Sequence, residues 1–162
     1  LHWVRDPPGC AGVVPTTVMS SVPGTPPVVA PAANGVAPGN ADKEQVSFAP
    51  PTTLVQAPVA RTPAQMARGL MFRKDAGSGM LFSWPEAEQR VFWMRNTLIP
   101  LSVAFISADG TLSRIEDMTP ETDDYHYSAE PATDALELAQ GEFAQRGLIV
   151  EARLLRRECH SD

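Results

Sequence analysis

The segment FWMRNTLIPL (residues 92–101) carries the side chains best suited to hold a small polar ligand. Arg95 has a planar fork of N–H donors that matches a carboxylate or phosphate, and Asn96 adds an amide. Trp93, and Trp84 further upstream, have flat aromatic faces on which a ligand ring can stack. One hypothesis is therefore an anion or sugar site, formed by these four residues at the mouth of a β-structure.

The same segment also has a purely structural interpretation. The two aromatic residues and the methionine that open it cannot all point one way on a strand, so both faces of that strand must be covered. Asn96 tolerates left-handed backbone angles and suits the turn that follows, while Pro100 cannot donate to a strand ladder. In this account Arg95 stacks on a largely buried Trp93 and no ligand is needed. The residues favour this account.

The acidic segment ETDDYHYSAE (residues 121–130) is a second candidate. Asp123, Asp124 and His126 are ligand types for a divalent metal. Their spacing matches no fixed metal motif, so a solvated acidic loop is the preferred interpretation. An enzyme that uses His126 with Ser128 or an acid is the alternative function, although no GxSxG elbow is present.

The remaining motifs exclude several classes of protein. The chain has no Gly-rich phosphate loop, no CxxC and no HExxH, so we predict no cofactor. Its net charge is −6 and it contains no run of basic residues, which argues against a nucleic-acid partner. No apolar run is long enough to span a membrane.

Composition changes abruptly near residue 60. Residues 1–60 hold 11 of the 16 prolines but only two of the 11 aromatic residues. We predict that residues 1–52 are a disordered Pro/Ala/Val/Gly-rich tail or linker, residues 53–158 a folded domain and residues 159–162 a short tail. A disulfide between flexible ends would stabilise little, so Cys10 and Cys159 are predicted to be unpaired thiols.

Short apolar runs predict the elements of the domain. Thr62 can cap a short helix, with a capping box closed at Gln65, that ends near Phe72. Strands are predicted at residues 79–84 and 91–94, on either side of a turn, and in the last strand around residues 150–154. The two-residue turn Asp109-Gly110 predicts a hairpin between residues 102–108 and 111–118.

The run ALELA (residues 135–139) alternates, which predicts a strand with both leucines on one face. Glu137 then lies on the outward face, where it can pair with Arg114 or Arg153. Many short strands with one or two short helices predict a mainly β fold, a compact jelly-roll-like sandwich or barrel.

Five segments in this order resemble the domain of unknown function 192 family (DUF192). They are TPAQMARGLMFR (62–73), GMLF (79–82), FWMRNTLIPL (92–101), AFISADG (104–110) and ALELAQG (135–141). The resemblance covers about residues 53–157 and implies a mostly β jelly-roll-like or barrel domain. It also implies a protein that is often exported, and no established activity. The chain departs from the pattern at Ser102, where relatives usually carry an acid, and at Ala139, where they often carry asparagine.

The sequence as a whole favours a non-enzymatic binding or accessory domain. Its partner is expected to be a small polar or anionic ligand or another protein, and the domain is expected to be a monomer. The resemblance favours a periplasmic or secreted location. Since the chain begins with Leu1, an export signal could lie upstream of it.

Overall fold

The computed structural model describes residues 42–160, except for the side chain of His160. Of the tail predicted for residues 1–52, residues 1–41 lie outside the described residues, and so does Cys10. The described residues form nine strands and two short helices, in the order β1 (Lys43–Ala49), β2 (Thr53–Ala60), α1 (Pro63–Arg68), β3 (Met80–Glu88), β4 (Val91–Phe92), β5 (Leu101–Ile106), β6 (Leu112–Met118), β7 (His126–Tyr127), β8 (Ala132–Ala139), α2 (Glu142–Gln145) and β9 (Arg153–His160).

Seven strands form one curled sheet in the order β6-β5-β8-β3-β2-β1-β9. All of its pairings are antiparallel except that of β2 with β3. The two edge strands approach each other through a bridge between Thr111 and Arg153. Because the sheet curls in this way, the domain is a half-barrel, and the predicted mainly β class is confirmed.

Two apolar clusters lie on the two faces of this sheet. The inner cluster fills the concave side and includes Phe48, Leu136 and Leu138 of the sheet and Phe143 of α2. The outer cluster lies between the convex face and the segments that cover it, which include the two-stranded ribbon of β4 and β7. The buried side chain of Glu137 lies on the same face as this cluster, opposite Met80 and Val103.

The predicted start of α1 is confirmed. Thr62 caps the helix by accepting a hydrogen bond from the backbone N–H of Gln65, and the Gln65 side chain accepts from the backbone of Thr62 in return. The helix ends at Arg68, however, four residues before the predicted end. Gly69 follows with φ 48, a left-handed angle that breaks the helix, so Phe72 lies in a loop.

The hairpin predicted at Asp109-Gly110 is also confirmed, between β5 and β6. Asp109 accepts hydrogen bonds from the Ser107 hydroxyl at 2.6 Å and from the Thr111 backbone at 3.0 Å. These bonds, that of Ser107 first, lower the pKa of Asp109 to about 2. The carboxylate therefore holds the turn across the neutral pH range.

Four boundaries differ from the predictions. Residues 43–49 form β1, between β2 and β9, so the fold begins before residue 53. Alternating burial drives this: Glu44, Val46 and Phe48 are buried and the residues between them are not. Residues 85–88 continue β3 where a turn was predicted. The strand predicted at residues 91–94 stops at Phe92, and the last strand starts at Arg153 rather than near residue 150.

The prediction of unpaired thiols is wrong for Cys159, which is disulfide-bonded in the structure. The entropy argument holds only for cysteines in flexible ends of the chain. Cys159 instead lies on β9, where it is opposite Glu44 of β1. No helix in the described part of the chain is long and apolar enough to cross a membrane.

Candidate functional site

The predicted stacking of Arg95 on Trp93 is present in the structure. The guanidinium carbon lies 4.0 Å from the centre of the indole ring. Both Nε and an Nη of Arg95 donate to the two carboxylate oxygens of Asp123, each at 3.0 Å. These hydrogen bonds raise the pKa of Arg95 and lower that of Asp123. One edge of the guanidinium fork is thus occupied by a residue of the chain itself.

The four predicted ligand residues are not brought together around one cavity. Trp84 stacks on Phe82 in the outer cluster, and Arg90 lies 4.2 Å above its ring. Trp93 is only partly buried, and Tyr125 lies beside it at 6.3 Å between ring centres. Trp84 and Trp93 therefore stack with two different arginines, Arg90 and Arg95. Asn96 lies exposed in the turn after Trp93.

Three loops meet at this turn, and we call residues 69–75, 94–99 and 119–125 the loop cluster. Backbone hydrogen bonds tie them together: Phe72 N–H donates to the carbonyl of Asn96 at 2.8 Å, and Glu121 N–H donates to that of Thr97 at 3.0 Å. Phe72, Asn96 and Glu121 all have positive φ, at 61°, 55° and 55°. Left-handed angles were predicted for Asn96 alone.

Phe72 is the unusual member of the loop cluster. A bulky residue at positive φ is a genuine outlier, and such strain clusters at binding and switch sites. The Phe72 side chain nevertheless does not enter the core, and the residue is 52% exposed. Leu98 and Tyr125 of the same cluster are also exposed. Sequence reasoning missed Phe72 because it assigned the residue to the end of a helix.

Asn96→Gly should leave the fold intact, since glycine adopts φ 55° without a side-chain penalty. Asn96→Val should lower the free energy of unfolding by about 1–2 kcal/mol, because a β-branched side chain is strained at this angle. Urea denaturation of the two variants and the parent measures both effects. Equal stability of the glycine and valine variants would contradict the turn assigned to Asn96.

The acidic segment is divided between solvent and core. Asp123 and Asp124 are exposed, whereas His126 points inward, and its Nδ1 lies 3.0 Å from an oxygen of Glu116. Within residues 42–160, no three His, Cys, Asp or Glu side chains are grouped so that they could hold a metal ion. The structure thus does not assemble the metal set predicted from Asp123, Asp124 and His126.

His126 does have one feature of a functional group. Its Nε2 atom is buried and has no hydrogen-bond partner among the described residues. Because a carboxylate oxygen accepts hydrogen bonds, the N–H at Nδ1 is the donor in the contact with Glu116.

Glu137 is the second functional group that sequence reasoning missed. The prediction that it faces outward and pairs with Arg114 or Arg153 is wrong, since Glu137 is only 6% exposed. It lies opposite Met80 on β3 and Val103 on β5, both members of the outer cluster. Both faces of β8 are buried. The alternating sequence of this strand predicts which residues share a face, but it does not show that the second face is covered as well.

Burial raises the pKa of Glu137 to about 8 from an ordinary value of 4.5. Desolvation is the sole cause, because no hydrogen bond or ion pair to a described residue favours the charged form. A carboxyl of this kind keeps its proton at neutral pH and releases it just above. Such groups are found at functional sites more often than elsewhere.

This raised pKa predicts a pH dependence of stability. Between pH 4.5 and 8 the unfolded chain loses the Glu137 proton while the folded domain keeps it. The contribution to stability is therefore complete below pH 4.5 and is lost as pH rises through 8, by up to about 1.4 kcal/mol per pH unit. Urea denaturation from pH 5 to 8 should show this loss in the parent but not in Glu137→Gln.

The matched control is Glu130→Gln, at an exposed position, which should keep the pH profile of the parent. If Glu137→Gln has the same profile as the parent, then Glu137 does not titrate in this range.

Ser102, where the resemblance expects an acid, is buried and donates a hydrogen bond to Asp117 at 2.6 Å. The carboxylate at this position of the sheet therefore comes from β6, the neighbouring strand. Ala139, the other departure, is partly buried and packs against the outer cluster.

Comparisons with known proteins agree with the fold and give no activity. The chain is similar to a proposed transcription regulator from Sinorhizobium meliloti 1021, with 30% identity and a TM-score of 0.67 over 76% of this chain and 97% of that one. It is also similar to a protein of unknown function from Novosphingobium aromaticivorans DSM 12444, with 30% identity and a TM-score of 0.63 over 69% and 82% of the two chains.

No curated protein matches the chain. The sequence profile of the family DUF192, described as "Uncharacterized ACR", matches residues 46–155, which is more than half of the chain. The matched region runs from within β1 to within β9 and so includes the loop cluster, His126 and Glu137. The chain belongs to the uncharacterised DUF192 family.

Proposed function

We propose that this domain is a non-enzymatic binding module that recognises another protein through the loop cluster. The observation that carries the proposal is the exposed Phe72 side chain on a left-handed backbone. A protein keeps such strain only where the surrounding structure imposes it, and such positions concentrate at binding sites. Loops held on a rigid β scaffold are also where binding residues usually lie.

The chemistry of the loop cluster favours a protein over a small anion. Asp123 already occupies two N–H groups of Arg95, so the fork has only part of its donors left for a phosphate or carboxylate. Exposed Phe72, Leu98 and Tyr125 instead offer apolar and aromatic area, which is enriched in the centres of protein interfaces. An apolar segment of a partner protein fits this surface best.

Neither of the two other candidate functions, an enzyme site at His126 or DNA binding, has comparable support. Asp123 and Asp124 are exposed, so His126 does not face the two carboxylates that an enzyme site in this loop would require. DNA binding, which the description of the Sinorhizobium protein would suggest, does not suit a chain whose net charge is −6.

We also propose that the domain works outside the cytoplasm. The support is the disulfide at Cys159, because structural disulfides persist mainly in oxidising compartments. Thiol labelling of the protein in fractionated cells tests this. Protection of Cys159 that is lost after reduction is expected, and a freely reactive Cys159 in cytoplasmic extract would contradict it.

The binding proposal is tested by photo-crosslinking of the full chain in cells that naturally make it. A photoreactive amino acid is placed at position 72 or 98 and, as matched controls, at Leu54 or Leu155, which are exposed on β2 and β9. We expect one discrete crosslinked product from positions 72 and 98 that is absent from positions 54 and 155. No product at 72 and 98, or the same product at all four positions, would overturn the proposal.

A further inference from the structure

The two faces of the β4–β7 ribbon have different surroundings. Val91 is opposite Tyr127 and Phe92 is opposite His126, so Phe92 and His126 share one face of the ribbon. The Phe92 ring packs on Phe82 of β3, at 5.0 Å between ring centres. This face therefore covers the sheet, and the opposite face of the ribbon points away from it.

The face that points away carries three aromatic side chains, Trp93, Tyr125 and Tyr127. Side chains alternate along extended chain, so Trp93 lies on the other side from Phe92, and the two tyrosines lie on the other side from His126. The ring centres of Trp93 and Tyr125 are 6.3 Å apart, and those of Tyr125 and Tyr127 are 6.2 Å apart. None of the three residues is fully buried. We call these three side chains the aromatic row.

The aromatic row is rich in hydrogen-bond donors. Nε1 of Trp93 is buried without a partner among the described residues, and an indole N–H can only donate. Such an exception among buried polar groups calls for an explanation. The hydroxyl groups of Tyr125 and Tyr127 can donate as well. Arg95, stacked on Trp93, keeps the N–H groups that Asp123 does not occupy. The row therefore complements a ligand that has many acceptors and apolar surface.

A proline-rich segment has this chemistry. Proline lacks the backbone N–H, so such a segment presents carbonyl acceptors and apolar rings with few donors of its own. It also adopts the extended polyproline II helix before it binds, so little conformational entropy is lost on binding. Surfaces lined by aromatic rings are the usual sites at which proteins recognise such segments.

The loop beside the aromatic row adds a preference for positive charge. Glu121 and Asp124 are exposed, and neither carboxylate has an ion pair with another described residue. Asp123, between them, is held by Arg95. A lysine or arginine next to the prolines would complement the two open carboxylates and fix the direction in which the segment lies.

We propose that the aromatic row binds a proline-rich segment of a partner protein that has a basic residue next to its prolines. The inference rests on the proposed function, because it names the kind of segment that docks beside the loop cluster, with Tyr125 common to both surfaces. The rings hold the prolines, the indole N–H and the hydroxyl groups donate to backbone carbonyls, and the basic residue lies at Glu121 and Asp124.

The test is titration of the full chain with a synthetic peptide of ten prolines followed by two lysines. The control peptide replaces the prolines by alternating glycine and serine and keeps both lysines. Binding is followed through the NMR signals of the indole N–H groups, and Trp93→Phe identifies the signal of Trp93. We expect the proline peptide to shift this signal and to bind at least tenfold more tightly than the control peptide.

Two variants locate the binding surface. Tyr127→Ala should weaken binding of the proline peptide at least tenfold, whereas Leu155→Ala, at an exposed position of β9, should leave it unchanged. No binding to the parent, equal binding of the two peptides, an unmoved Trp93 signal or unchanged binding in Tyr127→Ala would each overturn the proposal. The titration of the parent decides the matter even where a variant does not fold.

The outcome separates this inference from the proposed function. A crosslinked partner at positions 72 and 98 without binding of the proline peptide would overturn the inference and leave the proposed function standing. Binding of the proline peptide without a crosslinked partner would support the aromatic row as a site and overturn partner binding at the loop cluster.

Discussion

Replacing Gly79 by alanine is expected to lower the free energy of unfolding by about 4 kcal/mol or more, enough to unfold a domain of ordinary stability. A Cβ at this position would lie 2.2 Å from the carbonyl oxygen of Glu137 and 2.7 Å from a methyl carbon of Leu138. The first contact is with backbone in the middle of β8, which cannot move aside without breaking its pairing with β3 and β5. The φ of +85° adds strain for any residue with a side chain.

Gly141→Ala is the matched control. Gly141 also has a positive φ, of +96°, but a Cβ there would meet no atom within 4 Å. The variant should lose only about 1–2 kcal/mol, the cost of a left-handed alanine. Urea denaturation or, for a variant that does not fold, the yield of soluble protein compares the two. Similar losses in both would show that strain alone, and not close approach to β8, explains Gly79.

Arg157→Met is expected to cost about 3–5 kcal/mol, the range for breaking a buried ion pair from one side. Arg157 is fully buried and donates to Glu44 at 2.7 Å and to Asp134 at 3.0 Å. Methionine removes the charge but keeps much of the volume, so two carboxylates remain in the interior without this partner. The network joins β1, β8 and β9, and its loss should loosen the closure of the sheet.

The adjacent Arg156 supplies the control for this variant. Its side chain is 72% exposed and pairs with Glu158 at the surface. Arg156→Met should change the free energy of unfolding by less than about 1 kcal/mol, since exposed ion pairs contribute little. A similar loss of unfolding free energy for the two substitutions, measured by urea denaturation, would contradict the claim that the buried ion pairs of Arg157 stabilise the fold.

Much of the architecture follows from local sequence patterns. The capping box at Thr62, the Asp109-Gly110 turn and the alternation in β8 are short-range signals, and the structure contains each of these elements. The left-handed angle of Asn96 and the contact of Arg95 with Trp93 also involve only neighbours along the chain.

The predictions from sequence are wrong where contacts between distant segments determine the local structure. β1 lies in a region rich in proline and poor in aromatic residues, and it is a strand because it pairs with β2 and with β9, which lies more than a hundred residues away. Glu137 is buried because the ribbon and loops cover the outer face of the sheet, which no pattern in β8 reveals. Phe72 is exposed because Gly69 ends the helix early, and its left-handed angle is held by a hydrogen bond that its N–H donates to the carbonyl of Asn96 in another loop.

The central claim is that the loop cluster displays Phe72 at a cost in backbone strain. The most direct measurement compares the free energies of unfolding of Phe72→Gly and Phe72→Ala, which both remove the ring. At an unstrained position glycine is less stable than alanine, because it loses more conformational entropy on folding. At φ 61° we expect the reverse, with Phe72→Gly more stable by about 1 kcal/mol. The same pair at Leu54, on β2, should show the usual order; a Phe72→Gly variant less stable than Phe72→Ala would contradict the claim.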